Sequence, residues 1–347
     1  MTAVPFGDGR AKRLANRTPG PWATWRTKKR HLRAIRFIET YCSPAKGFRV
    51  GRPLKLARFQ KAWLEEVLAP GLNSAAMSVA RGNGKSTFLA AVGLWATFDP
   101  DEGGSPQVPV VATTIGQALK AVYGVALDML RLCPDLGDRA LVFTAWGTMK
   151  ILVPSTGGEM FPISNDVDGL QGLDPSVAIA DELGFMPVES WDSLLMASGK
   201  RPRSLVVGIG TPGLDRLNAL WHLRQRVGQG EVPGFVFTEF AADEGCDVDD
   251  RDQWRKANPA LAAKYQSLAA LETVRGLSEE GPFRVFRLGQ WVDGVECWLG
   301  PTGSAVWGEL EAPYEFDADG PMWLGVDAAR SRDSTAVVAV HRRPEGG

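Results

Sequence analysis

The amino-acid sequence predicts an α/β fold: a mostly parallel sheet flanked by helices, then a helical stretch and a short β-hairpin. Three observations lead there. An apolar run, Ala75 to Ala80, passes through a compact turn, Arg81 to Gly84, into Phe88, Val92 and Trp95 at helical spacing. A second apolar run, Ser176 to Ala180, ends in two adjacent carboxylates, Asp181 and Glu182. Strand-like and helix-like segments alternate between and beyond them, which calls for right-handed crossovers and a parallel sheet covered on both faces.

The first of these segments is a phosphate cradle in sequence form. Strand, glycine turn, Gly84-Lys85-Ser86 and helix put backbone N–H groups and the positive end of a helix toward an anion. Lys85 then reaches the β- and γ-phosphates and Ser86 can ligate Mg²⁺. The usual glycine-x4-Gly-Lys-Ser/Thr pattern is incomplete, because Val79 stands where the first glycine belongs. A bare Gly-Lys-Ser at an ordinary helix start is the competing reading. What favours the cradle is the second segment. An Asp at the carboxyl end of a neighbouring parallel strand can hold Mg²⁺ through water, and the following Glu can polarise a water for attack. Ser204 to Gly210 supplies a fourth strand that ends in a tight turn at Thr211, where a hydroxyl could sense the terminal phosphate or simply close the turn.

The other elements follow in chain order. His31 to Tyr41 has helical periodicity, and Leu56-Ala-Arg-Phe-Gln60 opens a helix through Trp63, Leu64, Val67 and Leu68 that stops at Pro70-Gly71. A Phe-Gln pair ahead of a phosphate loop can stack on a base and bond its edge; Phe59 as a core residue is the plainer reading. Val108 to Thr113 is the second strand and Gln117 to Leu132 its crossover helix. Three short strand-like runs between 141 and 163 read as an antiparallel insertion or edge. Phe235 to Phe240 is the fifth strand, and Asp243 to Asp252 a polar linker. Residues 253–294 read as helical, anchored by Trp254, Leu261, Leu268, Leu271 and Phe286, with Trp291, Trp298 and Trp307 closing a hinge. Finally Pro321 to Val340 reads as strand, polar turn, strand. Asp327 ends the first strand, a placement that suits metal-dependent nuclease chemistry. Two-metal hydrolysis needs several converging carboxylates, and this stretch offers Asp327 and Asp333.

Composition excludes several classes of function. Thirty-nine basic residues stand against 40 acidic ones, so no overall field announces a polyanionic partner. Residues 1–36, however, hold ten Lys/Arg and one acid, Asp8. Such a run suits a solvated arm or a polyanion-binding arm equally. Four widely spaced cysteines fit free thiols in a reducing compartment better than zinc or disulfides. With three histidines, none near a candidate nucleophile, Ser-His-Asp hydrolysis and a His-rich metal site are not expected. No apolar stretch of about 18 residues occurs, so a soluble, intracellular protein is expected.

Taken in order and spacing, a set of short segments resembles the large subunit of tailed-phage terminases, of the HK97-like type. They are Leu56 to Gln60, Ala80 to Ser86, Gln117-Ala118, Gly169 to Leu183, Gly210-Thr-Pro212, Trp254 to Pro259 and Leu324 to Asp327. The resemblance implies a P-loop NTPase of the ASCE/RecA-like arrangement, an ATPase of EC 3.6.4 type. It further implies a motor that moves double-stranded viral DNA into a procapsid, assembled as a homo-oligomeric ring (a pentamer) on the portal protein with a small terminase subunit. The expected place of work is the host cytoplasm, transiently docked on the portal, neither secreted nor membrane-bound.

The same resemblance assigns residues. The ATP contacts are Gln60 at the adenine and Arg81, Gly82, Asn83, Gly84, Lys85, Ser86 and Thr87 around the phosphates. Ser86 and Asp181 hold Mg²⁺, Glu182 is the catalytic base, Arg81 answers γ-phosphate charge and Thr211 is the coupling position. Asp327 corresponds to the first carboxylate of an RNase H-like endonuclease with Mg²⁺ or Mn²⁺. The implied domains are a basic arm and helix over 1–45, the ATPase core over 46–242, a linker subdomain over 243–316 and the first strands of the nuclease over 317–347. The chain is expected to stop inside that nuclease fold and not to cut DNA by itself. Relatives carry Arg-Gly ahead of the Asp-Glu strand where this chain has Gln171-Gly172, so a trans-acting arginine must come from Arg131, Arg139, Arg201 or Arg203, or Arg81 must serve. Two alternatives remain: a helicase-like P-loop ATPase, and an ATP-gated scaffold gripping DNA or portal with negligible turnover.

Overall fold

Eight strands form one sheet in the computed structural model, which describes residues 18–47, 49–292, 321–327 and 336–341. They are β1 Ser74–Val79, β2 Gln107–Ala112, β3 Leu141–Phe143, β4 Lys150–Val153, β5 Gly158–Ser164, β6 Val177–Asp181, β7 Leu205–Gly210 and β8 Phe235–Phe240. Their order across the sheet is β3-β4-β5-β2-β6-β7-β1-β8. From β5 to β8 every pairing is parallel, while β4 pairs antiparallel with both β3 and β5. The antiparallel edge expected over 141–163 is therefore present, except that its last strand joins the parallel set. The central strands read as near-continuous apolar runs because helices cover both faces; β1, β6 and β7 are buried along their whole length.

One placement differs from the sequence expectation. Asp181 ends a strand that is not the direct neighbour of the phosphate-loop strand: β7 lies between β1 and β6. Register sets Ser78 beside Gly210 and Asp181 beside Ile209. The turn after β7, with Thr211, is thereby wedged between the lysine and the carboxylates.

Helix α1 (Arg30–Tyr41), α2 (Arg58–Val67) and α3 (Lys85–Phe98) follow the expected boundaries closely. Helix α3 was expected to bury one face, yet it is buried continuously from Phe88 to Phe98. The sheet covers one side; α1 and α5 (Val122–Leu132) cover the other. The crossover expected as one helix over 117–132 is two, α4 (Ile115–Lys120) and α5, broken at Ala121 with φ −106° and ψ −115°. The Leu119 carbonyl lies 2.0 Å from where a Cβ on residue 124 would stand, so glycine at that position admits the break.

In the described part of the basic N-terminal segment Arg26, Lys28, Lys29 and Arg36 are exposed, whereas Arg30 and Arg33 are taken up by internal ion pairs. Arg33 is 2% exposed and grips Asp99 with two bonds, Nε–Oδ2 2.9 Å and Nη2–Oδ1 2.6 Å. Its remaining N–H groups go to the carbonyls of Trp22, Trp25 and Thr27. The Trp95 indole also donates to Asp99, and Trp22 donates to the Phe98 carbonyl inside a cluster with Phe37 and Tyr41. Arg30 pairs with Glu102 in the same way. Residues 1–17 lie outside the described residues.

Helices α6 (Val188–Ala197) and α7 (Ala219–Gly228) cover the opposite face of the sheet. After β8 come α8 (Arg251–Ala257), α9 (Leu268–Leu277) and α10 (Glu280–Leu288). These three helices have a small core of Trp254, Leu271, Phe283 and Leu288, with Leu261 and Leu268 against it. Phe286, expected among these anchors, is not in that core; Phe283 fills the place, and Phe286 turns toward the phosphate loop. Trp298 and Trp307 lie outside the described residues.

All of this belongs to a unit ending at Val295; a second unit begins at Glu296. In it Met322–Asp327 and Ala336–His341 form an antiparallel hairpin with Asp327 opposite Ala336. Asp333 lies outside the described residues. Among the described residues no helix is long and apolar enough to cross a membrane.

Removing one partner of a buried ion pair leaves the other charge uncompensated. Asp99→Ala is therefore expected to lower unfolding free energy by about 3–5 kcal/mol, read by denaturant titration; a change below about 1 kcal/mol would show that the N-terminal segment is not anchored there.

Candidate active site

The carboxyl ends of β1, β2 and β6 open on one cleft of about 520 Å³, lined by the turn after β1, by Thr113 and Gln117 after β2 and by Glu182 after β6; the turn after β7 reaches it through the Thr211–Lys85 bond. Its floor is the turn between β1 and α3. Gly82 (φ 93°) and Gly84 (φ 78°) adopt left-handed backbone there, and Gly84 is the N-cap of α3, so the first turn of the helix faces the cleft. Lys85, 9% exposed, donates from Nζ to Thr211 Oγ1 at 2.6 Å and more weakly to the Val79 carbonyl at 3.4 Å. Thr211 is fully buried, and its hydroxyl donates to the same Val79 carbonyl at 3.2 Å. Burial lowers the Lys85 pKa, while Glu182 and Asp181 act in the opposite sense. Ser86 and Thr87 line the cleft beside it, as does Glu182.

The two carboxylates are held in an unfavourable setting. Asp181 is 3% exposed, and its Oδ1, like Glu182 Oε2, is buried with no hydrogen-bond partner among the described residues. Burial, and secondarily the charge of Glu182, push the Asp181 pKa up to about 7. Glu182 has left-handed backbone, φ 59° and ψ 52°, a conformation that costs a non-glycine residue about 1–3 kcal/mol. This twist turns the chain sharply at the strand end. Gly184 then packs on the turn after β7 so closely that a Cβ would fall 1.9 Å from the Thr211 carbonyl. The loop carrying Glu182 and the loop carrying Thr211 are thus in backbone contact. A buried carboxylate oxygen lacking a partner, next to a second acid, is the donor set a divalent cation completes. Asp181, with the Ser86 hydroxyl on the cleft wall, fits that group.

Gln60 lies on the other side of the loop. A smaller cavity of about 230 Å³ shares Gly82, Gly84 and Thr87 with the main cleft and is lined further by Gln60, Phe88 and Tyr265. Gln60 is 4% exposed and its Oε1 accepts from the Ala57 N–H at 2.9 Å, which fixes the amide. Phe59 is half-buried and packs edge-on against Phe240 at 5.5 Å, outside the main core. The Tyr265 hydroxyl donates to the Lys55 carbonyl and closes the cavity from the C-terminal helical layer.

The Asn83 side chain turns away from both spaces. It is buried and bonded to the Ala80 carbonyl, to Asn258 Oδ1 and from the Ala260 N–H, each at 3.0 Å. Arg81 lines the cleft with its guanidinium over the Phe286 ring at 3.8 Å. Of the other arginines, Arg139 is paired with Asp135 and Arg201 with Asp174 and the carbonyls of Gly104 and Ser105. Arg131 bonds Asp128, and the Arg203 carbonyl accepts from Arg30. No pattern in the sequence placed Asn258, Tyr265, Gln266 or Arg287 at the site. They approach the loop region from far downstream, Asn258 across 175 residues, and no local signal encodes that.

Known proteins resemble this chain in sequence and in fold. Residues 63–226 match the family described as "Terminase large subunit, ATPase domain". The large terminase subunit of Enterobacteria phage HK97 is 27% identical over 323 residues, covering 90% of this chain and 63% of that protein; the chain thus spans less than two thirds of that relative. The crystal structure of the HK97 large terminase superposes with a TM-score of 0.67 at 25% identity, over 92% of this chain and 66% of that one. A large terminase from a thermophilic bacteriophage, solved in complex with ADP, shares the fold at a TM-score of 0.50 and 12% identity, over 84% of this chain and 66% of that one.

The raised Asp181 pKa carries a sign that can be checked in metal-free protein. Between 3.8 and about 7 the folded state holds a proton that the unfolded state has lost, so stability falls as pH rises through that window and stays low above it. Asp181→Asn removes the charge. Its melting temperature is expected to exceed the wild-type value at about pH 8 and the gain to shrink by about pH 5; a gain independent of pH rules the assignment out.

Proposed function

We infer that this chain, whose residues 63–226 carry the ATPase domain of a terminase large subunit, hydrolyses ATP in the cleft between the Lys85 loop and the Asp181-Glu182 pair. The observation that carries the reading is a convergence at the ends of three parallel strands: a buried lysine, a threonine bonded to it and two carboxylates with partnerless oxygens. In an ATPase domain that constellation has a consistent set of roles. The backbone N–H groups from Gly82 to Thr87 and the Lys85 ammonium hold the phosphates. Ser86 and Asp181 would hold Mg²⁺, which neutralises phosphate charge when bound. Glu182, on the cleft wall, accepts a proton from the attacking water or orients it. Arg81 answers the charge on the terminal phosphate, and Gln60 reads the base in the smaller cavity.

Thr211 has a mechanical meaning in this arrangement. Its hydroxyl holds Lys85 now, and the same loop abuts Gly184 beside Glu182. Turning Lys85 toward phosphate releases Thr211, and movement of the β7 turn is felt at the Glu182 loop. That is the coupling position in physical terms: one hydrogen bond exchanged for another across two loops in backbone contact.

The likeness to the HK97 large subunit extends the proposal to the whole machine. We place the chain in a homo-oligomeric ring, a pentamer, on the portal protein of a procapsid in the host cytoplasm, with a small terminase subunit, moving double-stranded DNA. Asp327, ending its hairpin strand, is placed in a nuclease centre with Mg²⁺ or Mn²⁺. Contacts with the duplex are to phosphates, so they weaken steeply with salt and tolerate any sequence.

Glu182→Gln is expected to bind ATP as the wild type does while phosphate release falls at least ~100-fold, the scale of a lost general base. Wild-type turnover is expected to rise with duplex DNA and the rise to vanish at high salt. Undiminished phosphate release by the Gln variant would remove Glu182 from the chemistry, and negligible wild-type release with DNA present would leave a gated scaffold.

A further inference from the structure

The helical layer that follows β8 holds the phosphate loop by its backbone. The Arg81 N–H donates to the Phe286 carbonyl at 2.9 Å, and the Arg81 carbonyl in turn accepts from Arg287 Nη1 at 3.3 Å and Gln266 Nε2 at 3.4 Å. Asn258, fully buried, ties the two together, bonding Asn83 at 3.0 Å on one side and the Arg287 carbonyl at 2.8 Å on the other. Arg287 Nη1 stands 3.3 Å from where a Cβ on residue 82 would lie, so Gly82 leaves room for the guanidinium over the loop.

Three cations meet here: Arg81, Arg287 and Lys85. Arg287 is half-buried beside Arg81, and its neighbourhood contributes a second positive charge rather than a carboxylate. Burial, then the neighbouring Arg81 charge, holds Arg287 below the usual arginine range. Like charges assembled side by side repel, the more so as water is excluded. An anion entering the cleft lined by Arg81 and Lys85, with Arg287 on the Arg81 carbonyl behind them, turns that repulsion into attraction, and the more charge it brings the larger the gain.

We propose that Arg287 is a positioning residue for the nucleotide's terminal phosphate, acting through the Arg81 loop, so that the helical layer of residues 251–288 distinguishes a nucleoside triphosphate from a diphosphate. This rests on the ATP reading of the cleft. Arg81 is already stacked on Phe286, the residue next to Arg287. When Arg81 swings from the ring toward the terminal phosphate, Arg287 remains over the loop, keeps the Arg81 carbonyl oriented and adds its charge to the same anion. A diphosphate satisfies Lys85 and the loop N–H groups yet leaves Arg81 on the Phe286 ring and the charge of Arg287 unanswered. The helical layer is therefore held more tightly to the loop before hydrolysis than after it.

The test is equilibrium binding of the full chain to ADP and to a non-hydrolysable ATP analogue, with Mg²⁺, by titration calorimetry. Arg287→Gln keeps an N–H donor for the Arg81 carbonyl and removes the charge; Arg287→Lys keeps the charge. Position 287 is only half-buried, so neither change empties a core. The Gln variant is expected to lose roughly tenfold in affinity for the analogue, the scale of one charge-assisted contact, with ADP affinity held within about twofold. The Lys variant should retain most of the triphosphate preference. Equal weakening toward both nucleotides in the Gln variant, or no weakening, overturns the proposal while the ATP site stands. Wild-type binding by Lys85→Ala, measured alongside, overturns the ATP site itself and the proposal with it.

Discussion

Burying an ammonium and a carboxylate, with a second, half-buried carboxylate beside them, at the open end of an apolar sheet is unfavourable unless each charge has something to face. That constraint governs the whole molecule. Lys85 meets it with the Thr211 hydroxyl and the Val79 carbonyl; Asp181 and Glu182 keep oxygens with no partner among the described residues. The Asp181 carboxyl, pushed up to about 7, shows how poorly the folded protein accommodates its negative form. A site in this condition is organised for ligands that bring opposite charge of their own, a cation for the acids and an anion for the bases.

Keeping such a site rigid requires support from all sides, and the structure supplies it with unlike devices. Beneath the loop, α3 is sealed between sheet and helices, and its far end is fixed by the Arg33–Asp99 pair. Beside it, the Glu182 and Thr211 loops touch through backbone because residue 184 has no side chain. Above it, Asn83 and Asn258 join the loop to the C-terminal helical layer by amide bonds buried from water. Buried polar networks of this kind are costly when partly satisfied and specific when complete. Each of these two asparagines uses both its donor and its acceptor, which favours a single resting position for the loop.

The order of strands also shapes how the site can work. With β7 between β1 and β6, Thr211 stands in space between the cation and the anions. Lys85 rests on the Thr211 hydroxyl, so the β7 turn and the phosphate loop are joined side chain to side chain. The helical layer reaches the same loop by another route, through Arg81, Phe286 and Arg287.

Much of this was legible in the chain alone. Apolar run, glycine turn and Gly-Lys-Ser specify the cradle, and Val-Ala-Ile-Ala-Asp-Glu specifies the acids, because both signals are local: a few residues dictate a strand, its end and the turn that follows. The same locality explains the differences. The break at Ala121 depends on a carbonyl meeting residue 124, the burial of α3 on helices far away in sequence, and the fate of Arg33 on an aspartate 66 residues downstream. The roles of Phe286 and Arg287 were hidden for the same reason; a helix periodicity shows which residues share a face, never what that face will meet. The sequence by itself determined which chemistry-bearing residues lie at strand ends. Tertiary structure decided that β7 separates them, that Asn83 faces away, and that an arginine from the last helix of this unit lies over the loop, because those outcomes belong to packing between distant segments, where no residue's neighbours in the chain can register them.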